Sequence, residues 1–268
     1  MPVNDALGQR MKNYYEAIPK TRLMRRTPVA IRIDGKAFHT FTRGFQKPFD
    51  EVLGNAMART MEYLCQNIQG VQFAYCQSDE ITLLLQDYKK LTTDAWFDYE
   101  VQKMCSIAAS MATMAFNKYF NQEHWKWAKN NDIACMEHLN EGKNPELLKL
   151  HNTYVEASCK GAMFDARCFN IPKEEAANLI YWRQVDAMRN SIQMIGQANY
   201  SHSYLQDKSC EQIKMLLRCD FGINWDGLPA RWKYGCAWTK LTGLDYNMPV
   251  IKGENRAYVE NEVYCEEE

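Results

Sequence analysis

Two apolar runs separated by a short polar tip constrain this chain more than any other feature. Val71–Cys76 and Ile81–Leu85 flank Gln77-Ser78-Asp79-Glu80, the pattern of a β-hairpin whose tip carries two acids. Upstream, Pro28 introduces Val29-Ala30-Ile31-Arg32-Ile33, β-branched enough to be a strand, and the run stops at Asp34-Gly35. Between the two lies a predicted helix over 50–68. Asp50 can cap it, Val52, Leu53, Ala56, Met57, Thr60, Met61 and Leu64 share one face, and Gly70 closes it. A second helix, from about 98 to 120, follows the hairpin; its small residues Ser106, Ala108, Ala109, Ser110 and Ala112 would let it lie close against a sheet. Strand, helix, hairpin, helix is the order of an α+β layer of the ferredoxin-like or polymerase palm-like type, an antiparallel sheet with helices packed on one face.

The remaining segments are expected as follows. Residues 5–18 read as a helix, with Leu7, Met11, Tyr14, Tyr15 and Ile18 at helical spacing. Residues 121–160 are polar and irregular, and 142–145 is the best linker. A strand is expected over 162–171, helices over 173–197 and 207–219, and a last strand over 232–239. This divides the chain into a palm-like catalytic part, 1–140, and a C-terminal part, 141–268, which adds further C-terminal helices within the same globular unit.

Composition narrows the class. With 268 residues and 46% apolar content the chain can bury a sizeable core. The 32 basic and 33 acidic residues nearly cancel, so net charge alone does not mark a nucleic-acid binder. Charge is local instead: Arg10, Lys12, Lys20, Arg22, Arg25, Arg26 and Arg32 crowd the first segment, while Glu260, Glu262 and Glu266–Glu268 end the chain. The basic run could hold phosphates or could be a solvated helix face. Ten cysteines are scattered with no Cys-x-x-Cys pair, the usage of a reduced intracellular protein rather than a disulfide framework or zinc site. Cys135-x-x-His138 has ligand-like spacing but no second pair. The N-terminus has no signal-peptide core, and the longest apolar stretch, 107–116, falls short of the ~20 residues needed to span a bilayer. A cytoplasmic protein with no membrane contact is expected.

The chemistry concentrates at the strand ends. Asp34 stands where the first strand stops, and Gly35 lets the following backbone approach a ligand closely, so amides from Lys36 onward could line a phosphate chain. Lys36 and Lys47 could add point charges to it. In a palm-type sheet the hairpin lies beside the first strand, which would bring Asp79 next to Asp34. Two carboxylates so close repel unless a divalent cation sits between them. Magnesium suits oxygen-only ligands of this kind, and a pair of ions ~3.5–4 Å apart can stabilise in-line displacement at phosphorus. Each motif also has a bland reading, an Asp-Gly turn and a solvated hairpin tip.

Six blocks in order, Arg32–His39, Lys47-Pro-Phe-Asp50, Phe73–Glu80, Lys103–Ser110, Phe164-Asp-Ala-Arg167 and Trp182-Arg-Gln-x-Asp186, resemble the tRNA-histidine guanylyltransferase family, with a polymerase-like palm that extends RNA in the 3′-to-5′ direction. The resemblance runs from about residue 5 to residue 240. It implies that Asp34 and Asp79 are catalytic and hold two Mg2+ ions, with the Gly35 carbonyl as a further ligand. It implies a nucleotide site at Lys36, Ala37, Phe38, His39, Lys47, Asp50 and Ser78, with Glu80 assisting the metal carboxylate. Lys103 and Arg183 resemble positions that face triphosphate or RNA; Arg22, Arg25, Arg26, Arg189 and Asn190 are further candidates for RNA contact. ATP, GTP and other NTPs, tRNA and a homotetramer are the partners the resemblance implies. One departure stands out. Eukaryotic members that act on tRNA-histidine carry His-Ile-Asn-Asn where this chain has Met188-Arg189-Asn190-Ser191, so only Asn190 agrees. The variant resembles the guanylyltransferase-like proteins of bacteria and archaea, which repair truncated tRNA 5′ ends against the opposite strand.

Three other readings remain at this stage. Non-templated addition of guanine to tRNA-histidine would use the same carboxylates. A palm-type nucleotide cyclase would use them on a free nucleotide, although the Gly-Gly-Asp/Glu-Glu-Phe loop of diguanylate cyclases is absent. A non-catalytic RNA-binding module would have no need of paired acids.

Overall fold

The computed structural model describes residues 6–133 and 145–264. Its centre is one antiparallel sheet of β1 (Val29–Gly35), β2 (Val71–Gln77), β3 (Glu80–Leu85), β4 (Phe164–Asn170), β5 (Cys236–Thr239) and β6 (Gly243–Asp245), in the order β4-β1-β3-β2-β5-β6. The first four strands have the split βαβ order of a ferredoxin-like layer. β1 and β3 occupy its middle, paired from Val29↔Leu85 to Asp34↔Glu80. On its other side β1 pairs with β4 from Val29↔Asn170 to Gly35↔Phe164, so a strand from beyond residue 140 completes the sheet around the first strand.

The helices that define the layer are α1 (Glu51–Asn67) and α2 (Val101–Asn130). Asp50 caps α1 by accepting from the Leu53 backbone N–H at 2.9 Å. Met57, Met61 and Leu64 then bury fully against Ile31, Ile33 and Leu83, each contributing about 1.5–3 kcal/mol. Ala108 and Ala112 of α2 are fully buried on the same face. Their small side chains admit the helix to a layer otherwise filled by Phe38, Phe41, Phe116, Phe120 and Phe164.

The expected irregular stretch 121–160 is largely helical instead. α2 runs on to Asn130, and α3 spans Pro145–Lys160. The apolar stripe was disguised because its later positions are histidines and tryptophans. His124 and His151 are buried and share a hydrogen bond of 3.0 Å, and Tyr154 packs beside them. The expected strand 232–239 is shorter. Pro229 precedes a helical turn, Ala230–Tyr234, and Gly235 at φ 84° releases the chain into β5 only from Cys236. The N-terminal helix spans Ala6–Met11 and continues as a wider turn to Glu16, with its apolar residues exposed.

The C-terminal helices cover the second face of the sheet. α4 (Lys173–Asn199) and α6 (Ala257–Val263) bury Ala176, Ala177, Ile180, Val259 and Val263 against Ala30, Phe73 and Leu84. α5 (Cys210–Phe221) packs on the far half of α4 around Ile192, Ile195, Ile213 and Leu217. Cys135-x-x-His138, most of the 142–145 segment and Glu266–Glu268 lie outside the described residues. Every cysteine among the described residues is a free thiol. No helix among them is long and apolar enough to cross a membrane.

Candidate functional site

The site forms where β1 ends and the β2–β3 hairpin turns. The Gly35 backbone N–H donates to the Asp79 carbonyl at 3.0 Å, and the Lys36 N–H to the Met163 carbonyl at 2.8 Å, so the turn after β1 is tied to the hairpin tip and to the start of β4. A Cβ on Gly35 would run into the Phe38 ring, which folds back over it. This position therefore takes glycine for close approach rather than for an unusual φ. Ala37 at φ 54° and Ser78 at φ 50° are left-handed without being glycines, conformations that cost about 1–3 kcal/mol and gather at functional sites.

These residues enclose a cleft of about 480 Å³ lined by Gly35, Ala37, Phe38, His39, Lys47, Asp50, Ser78 and Asp79, with Thr42, Gln46 and Met194 among the others. Eight of the expected nucleotide and metal residues are thus brought together. Asp34 stands at the edge of that group, facing Glu80 across β3 and Asp165 across β4. By strand alternation its side chain shares the face of Arg32 and Ala30.

The electrostatics are those of a partly buried acidic site. The Asp79 carboxyl is held above the usual carboxylate range, chiefly by burial and further by the charge of Asp34, while the Ser78 hydroxyl works against the shift by hydrogen bonding. Among the described residues no three His, Cys, Asp or Glu side chains converge into a protein-only metal cage. What the cleft offers is two carboxylates, backbone carbonyls and room, the donor set of a hard cation that keeps most of its ligands for water and phosphate.

Glu80 has a different task. Arg183 donates to it from Nε at 2.6 Å, and Arg32 lies 3.6 Å away on its other oxygen. Arg183, expected to face triphosphate or RNA, is buried in this pair and also reaches Asp186 at 3.0 Å. Asp50 is likewise occupied. It accepts from the Leu53 and Gln46 backbones and, at 2.6 Å, from the Tyr154 hydroxyl, so it fixes the 46–50 loop that forms one wall.

The basic entry run is also partly consumed. Arg22 pairs with Asp98 at 2.7 Å, and Arg25 pairs with buried Asp87 at 2.6 Å. Arg26 keeps an exposed side chain, as do Lys36, Lys47, Lys103 and Arg189, with Lys103 lying over the Phe97 ring. Asn190 is exposed and donates to Asp186 at 3.3 Å.

A second, apolar pocket of about 110 Å³ adjoins the cleft and shares Asp50, Leu53, Ser78 and Met194 with it. Phe49 stacks on Trp232 at 5.1 Å, and Arg231 lies 4.3 Å from the same indole and 4.8 Å from Tyr246. None of these was visible as a site in the sequence. Arg231 and Trp232 are about 180 residues from Phe49, and the β2–β5 pairing, Cys76↔Cys236, together with the Arg231–Asn55 hydrogen bond at 2.9 Å, brings them there.

Residues 8–172 match the family model described as tRNAHis guanylyltransferase. The tRNA(His) guanylyltransferase of Schizosaccharomyces pombe is 27% identical over 232 residues, covering 82% of this chain and 76% of the relative. A bacterial tRNA(His) guanylyltransferase (Thg1)-like protein solved in complex with ATP superposes with a TM-score of 0.78 at 37% identity, over 97% of this chain and 100% of the other. A structure of such a bacterial protein with GTP gives a TM-score of 0.71 at 35% identity, with the same coverage.

Proposed function

The chain belongs to the tRNAHis guanylyltransferase family and is a nucleotidyltransferase; on that premise we propose that it adds nucleotides in the 3′-to-5′ direction to the 5′ end of tRNA, repairing truncated ends against the opposite strand. The observation that carries this is the Gly35–Asp79 backbone bond, which sets the end of β1 and the hairpin tip side by side at the mouth of the cleft. The complexes of the bacterial relatives support ATP and GTP as the nucleotides.

Asp34 and Asp79, with the Gly35 carbonyl, are the residues that would hold Mg2+, two ions in this reading. Held by these groups, such ions would supply neutralisation of the phosphate charge that develops during in-line displacement. The protein supplies positioning and charge rather than a covalent nucleophile. In the first step a 5′-phosphate oxygen of tRNA attacks the α-phosphorus of ATP, and pyrophosphate leaves. The 3′-hydroxyl of the incoming NTP then attacks the activated 5′-phosphorus, losing its proton to solvent as AMP departs. Hydrolytic loss of pyrophosphate restores a 5′-monophosphate. In this reading the triphosphate is held by the turn from Lys36 to His39 and by the Lys47 ammonium; Ala37, Phe38, His39 and Lys47 line the cleft, while the Lys36 amide is already given to the Met163 carbonyl, which leaves Lys36 its exposed ammonium. The apolar pocket beyond Ser78 is the part of the site suited to a base.

Self-association into a homotetramer belongs to the same proposal. The exposed side chains of Leu7, Tyr14 and Tyr15 on the N-terminal helical segment, and of Ile18 just after it, support it, since they leave apolar surface toward solvent. A cytoplasmic location is proposed with it. The test is transfer of label from α-labelled GTP onto a tRNA lacking its first nucleotide; absence of transfer with ATP and magnesium present would count against the reading.

A further inference from the structure

Beside the catalytic end of β1, on the face of the sheet covered by α4, Trp182 stands 53% exposed. An indole left this open among charged groups is held rather than merely tolerated. The Arg183 guanidinium lies 4.7 Å from its ring centroid and that of Arg32 lies 5.6 Å away. Glu80 anchors both arginines, at 2.6 Å and 3.6 Å, so the ring rests on a support fixed to β1 and β3. Trp182, Val185 and Arg189 recur at i, i+3 and i+7 along α4 and are all exposed, which makes one stripe ending in a cation. On the neighbouring strand, Arg167 stands directly opposite Arg32. Like charges in that position repel. Arg167 is bridged to Asp165 at 3.1 Å, and the buried Arg32 Nε has the Glu80 oxygen at 3.6 Å, an ion pair too long for a hydrogen bond. The cation that a ligand can reach on this stripe is the exposed Arg189.

The geometry points to Trp182 as a stacking platform for the terminal nucleobase at the RNA 5′ end, with Arg189 meeting a backbone phosphate. This rests on the nucleotidyltransferase reading above and adds the group that holds the acceptor end. An apolar protein partner would bury the Arg189 guanidinium without an acceptor, whereas RNA brings a π-face for the indole and a phosphate for Arg189. Stacking of this kind accepts any base, as repair of different tRNA ends requires. Arg32 is two residues from Asp34 on the same face of β1, so a base stacked on Trp182 keeps its 5′-phosphate near the carboxylates.

The test uses tRNA carrying 2-aminopurine as its 5′-terminal base, with the full-length protein and its Trp182→Phe, Trp182→Leu and Trp125→Leu variants. Trp125 is as exposed, at 56%, but sits far along α2, and serves as the control. Wild type, Trp182→Phe and Trp125→Leu are expected to quench 2-aminopurine fluorescence on binding. Trp182→Leu should not quench, and its KM for tRNA should rise roughly ten-fold or more, the scale of one lost stack, with the KM for GTP unchanged. No quenching by wild type, or equal quenching by Trp182→Leu, overturns the platform. A change in sedimentation coefficient for Trp182→Leu with quenching intact would instead make this face a contact between copies. Label transfer by wild type is read separately, so failure of the general activity and failure of the stacking site are told apart.

Discussion

Arg183 donates its Nε–H to Glu80 Oε1 at 2.6 Å, joining α4 to the first residue of β3 one position from the hairpin tip. Burial raises the Glu80 carboxyl, and the two arginines oppose that shift without cancelling it. The pair thus holds the covering helix against the strand that follows the Ser78–Asp79 turn. Removing one partner strands a buried charge. Arg183→Met is expected to cost about 3–5 kcal/mol of folding stability, whereas the double variant Glu80→Gln/Arg183→Met should recover most of that loss. Urea denaturation of the four proteins of the cycle measures it; additive losses would mean that the two groups act independently.

Asp34→Asn and Asp79→Asn should each abolish nucleotide transfer while leaving the fold intact. Burial and the Asp34 charge already oppose ionisation of Asp79, so neutralising either group relieves a repulsion in the metal-free protein. The thermal midpoint is expected to stay level or rise slightly. Substantial transfer by either variant in magnesium would remove the paired carboxylates from the mechanism.

The buried histidine pair sets a pH dependence of stability. His124 is lowered to about 4, first by burial and then by the neighbouring His151. A histidine with a depressed folded pKa binds a proton in the unfolded chain before it does so in the fold. Stability is then full above the ordinary value of about 6.5 and falls as pH drops toward about 4, by at most about 1.4 kcal/mol per pH unit. The raised carboxyls of Asp50, Asp79 and Glu80 act with the opposite sign, so the comparison must be with His124→Phe. That variant should lose less stability than wild type between pH 7 and pH 5 in urea titrations. Parallel losses would show that the pair does not govern acid sensitivity.

The three arginines of the basic run should separate by their partners. Asp87 is buried and takes the Arg25 side chain at 2.6 Å together with the Arg26 backbone N–H at 2.8 Å. Arg25→Ala leaves that acid with an unmatched oxygen and should cost about 1–3 kcal/mol in stability. Arg22→Ala removes an exposed pair with Asp98 and should change stability by under about 1 kcal/mol. Arg26→Ala should leave stability alone and, if this edge meets RNA, weaken tRNA binding and flatten its salt slope by about one ion. Binding titrations at several salt concentrations check this; an unchanged slope would move the RNA contact to Arg189 and Lys103.

Much of this was legible in the sequence because it is local. Asp50 caps the helix that starts beside it, the Gln77–Glu80 tip joins two apolar runs that are buried along their whole length, and Pro28 and Gly35 bracket β1. The closeness of the β1 end to the hairpin tip, seen in the Gly35–Asp79 bond, followed from the order of those elements. What escaped depends on contacts between distant segments. A buried histidine and a solvated one look alike in a polar stretch, so the extension of α2 was missed. Arg183 gave no sign of its ion pair, because Glu80 lies 103 residues away. The wall formed by Arg231, Trp232 and Tyr246 depends on β5 adding to the edge of β2 and on Arg231 reaching Asn55, both far away in sequence.

The residues in place of the eukaryotic His-Ile-Asn-Asn stretch bear on how a base is chosen. Met188 packs against the cluster around Ile192 and Leu217. Ser191 is buried, accepts from the Trp225 indole N–H at 2.8 Å and donates to the Met188 carbonyl at 3.0 Å. Two of the four positions are thus committed to joining α4 to the segment after α5. Arg189 is exposed and suited to phosphate, and Asn190 donates to Asp186. Asn190 and Ser191 also line the apolar pocket, but Ser191 is spent on Trp225 and Met188, and the Asn190 amide alone falls short of the matched set of hydrogen bonds that gives strong discrimination. Base choice should then come from pairing with the opposite strand. A tRNA lacking its first nucleotide is expected to receive the complement of whichever base stands opposite, at least ten-fold faster than any mismatch, on the scale of about 1–3 kcal/mol per mispaired base. Incorporation rates for the four NTPs against each of the four opposing bases measure this, and preferential addition of guanine whatever the opposing base would assign the chain to non-templated addition.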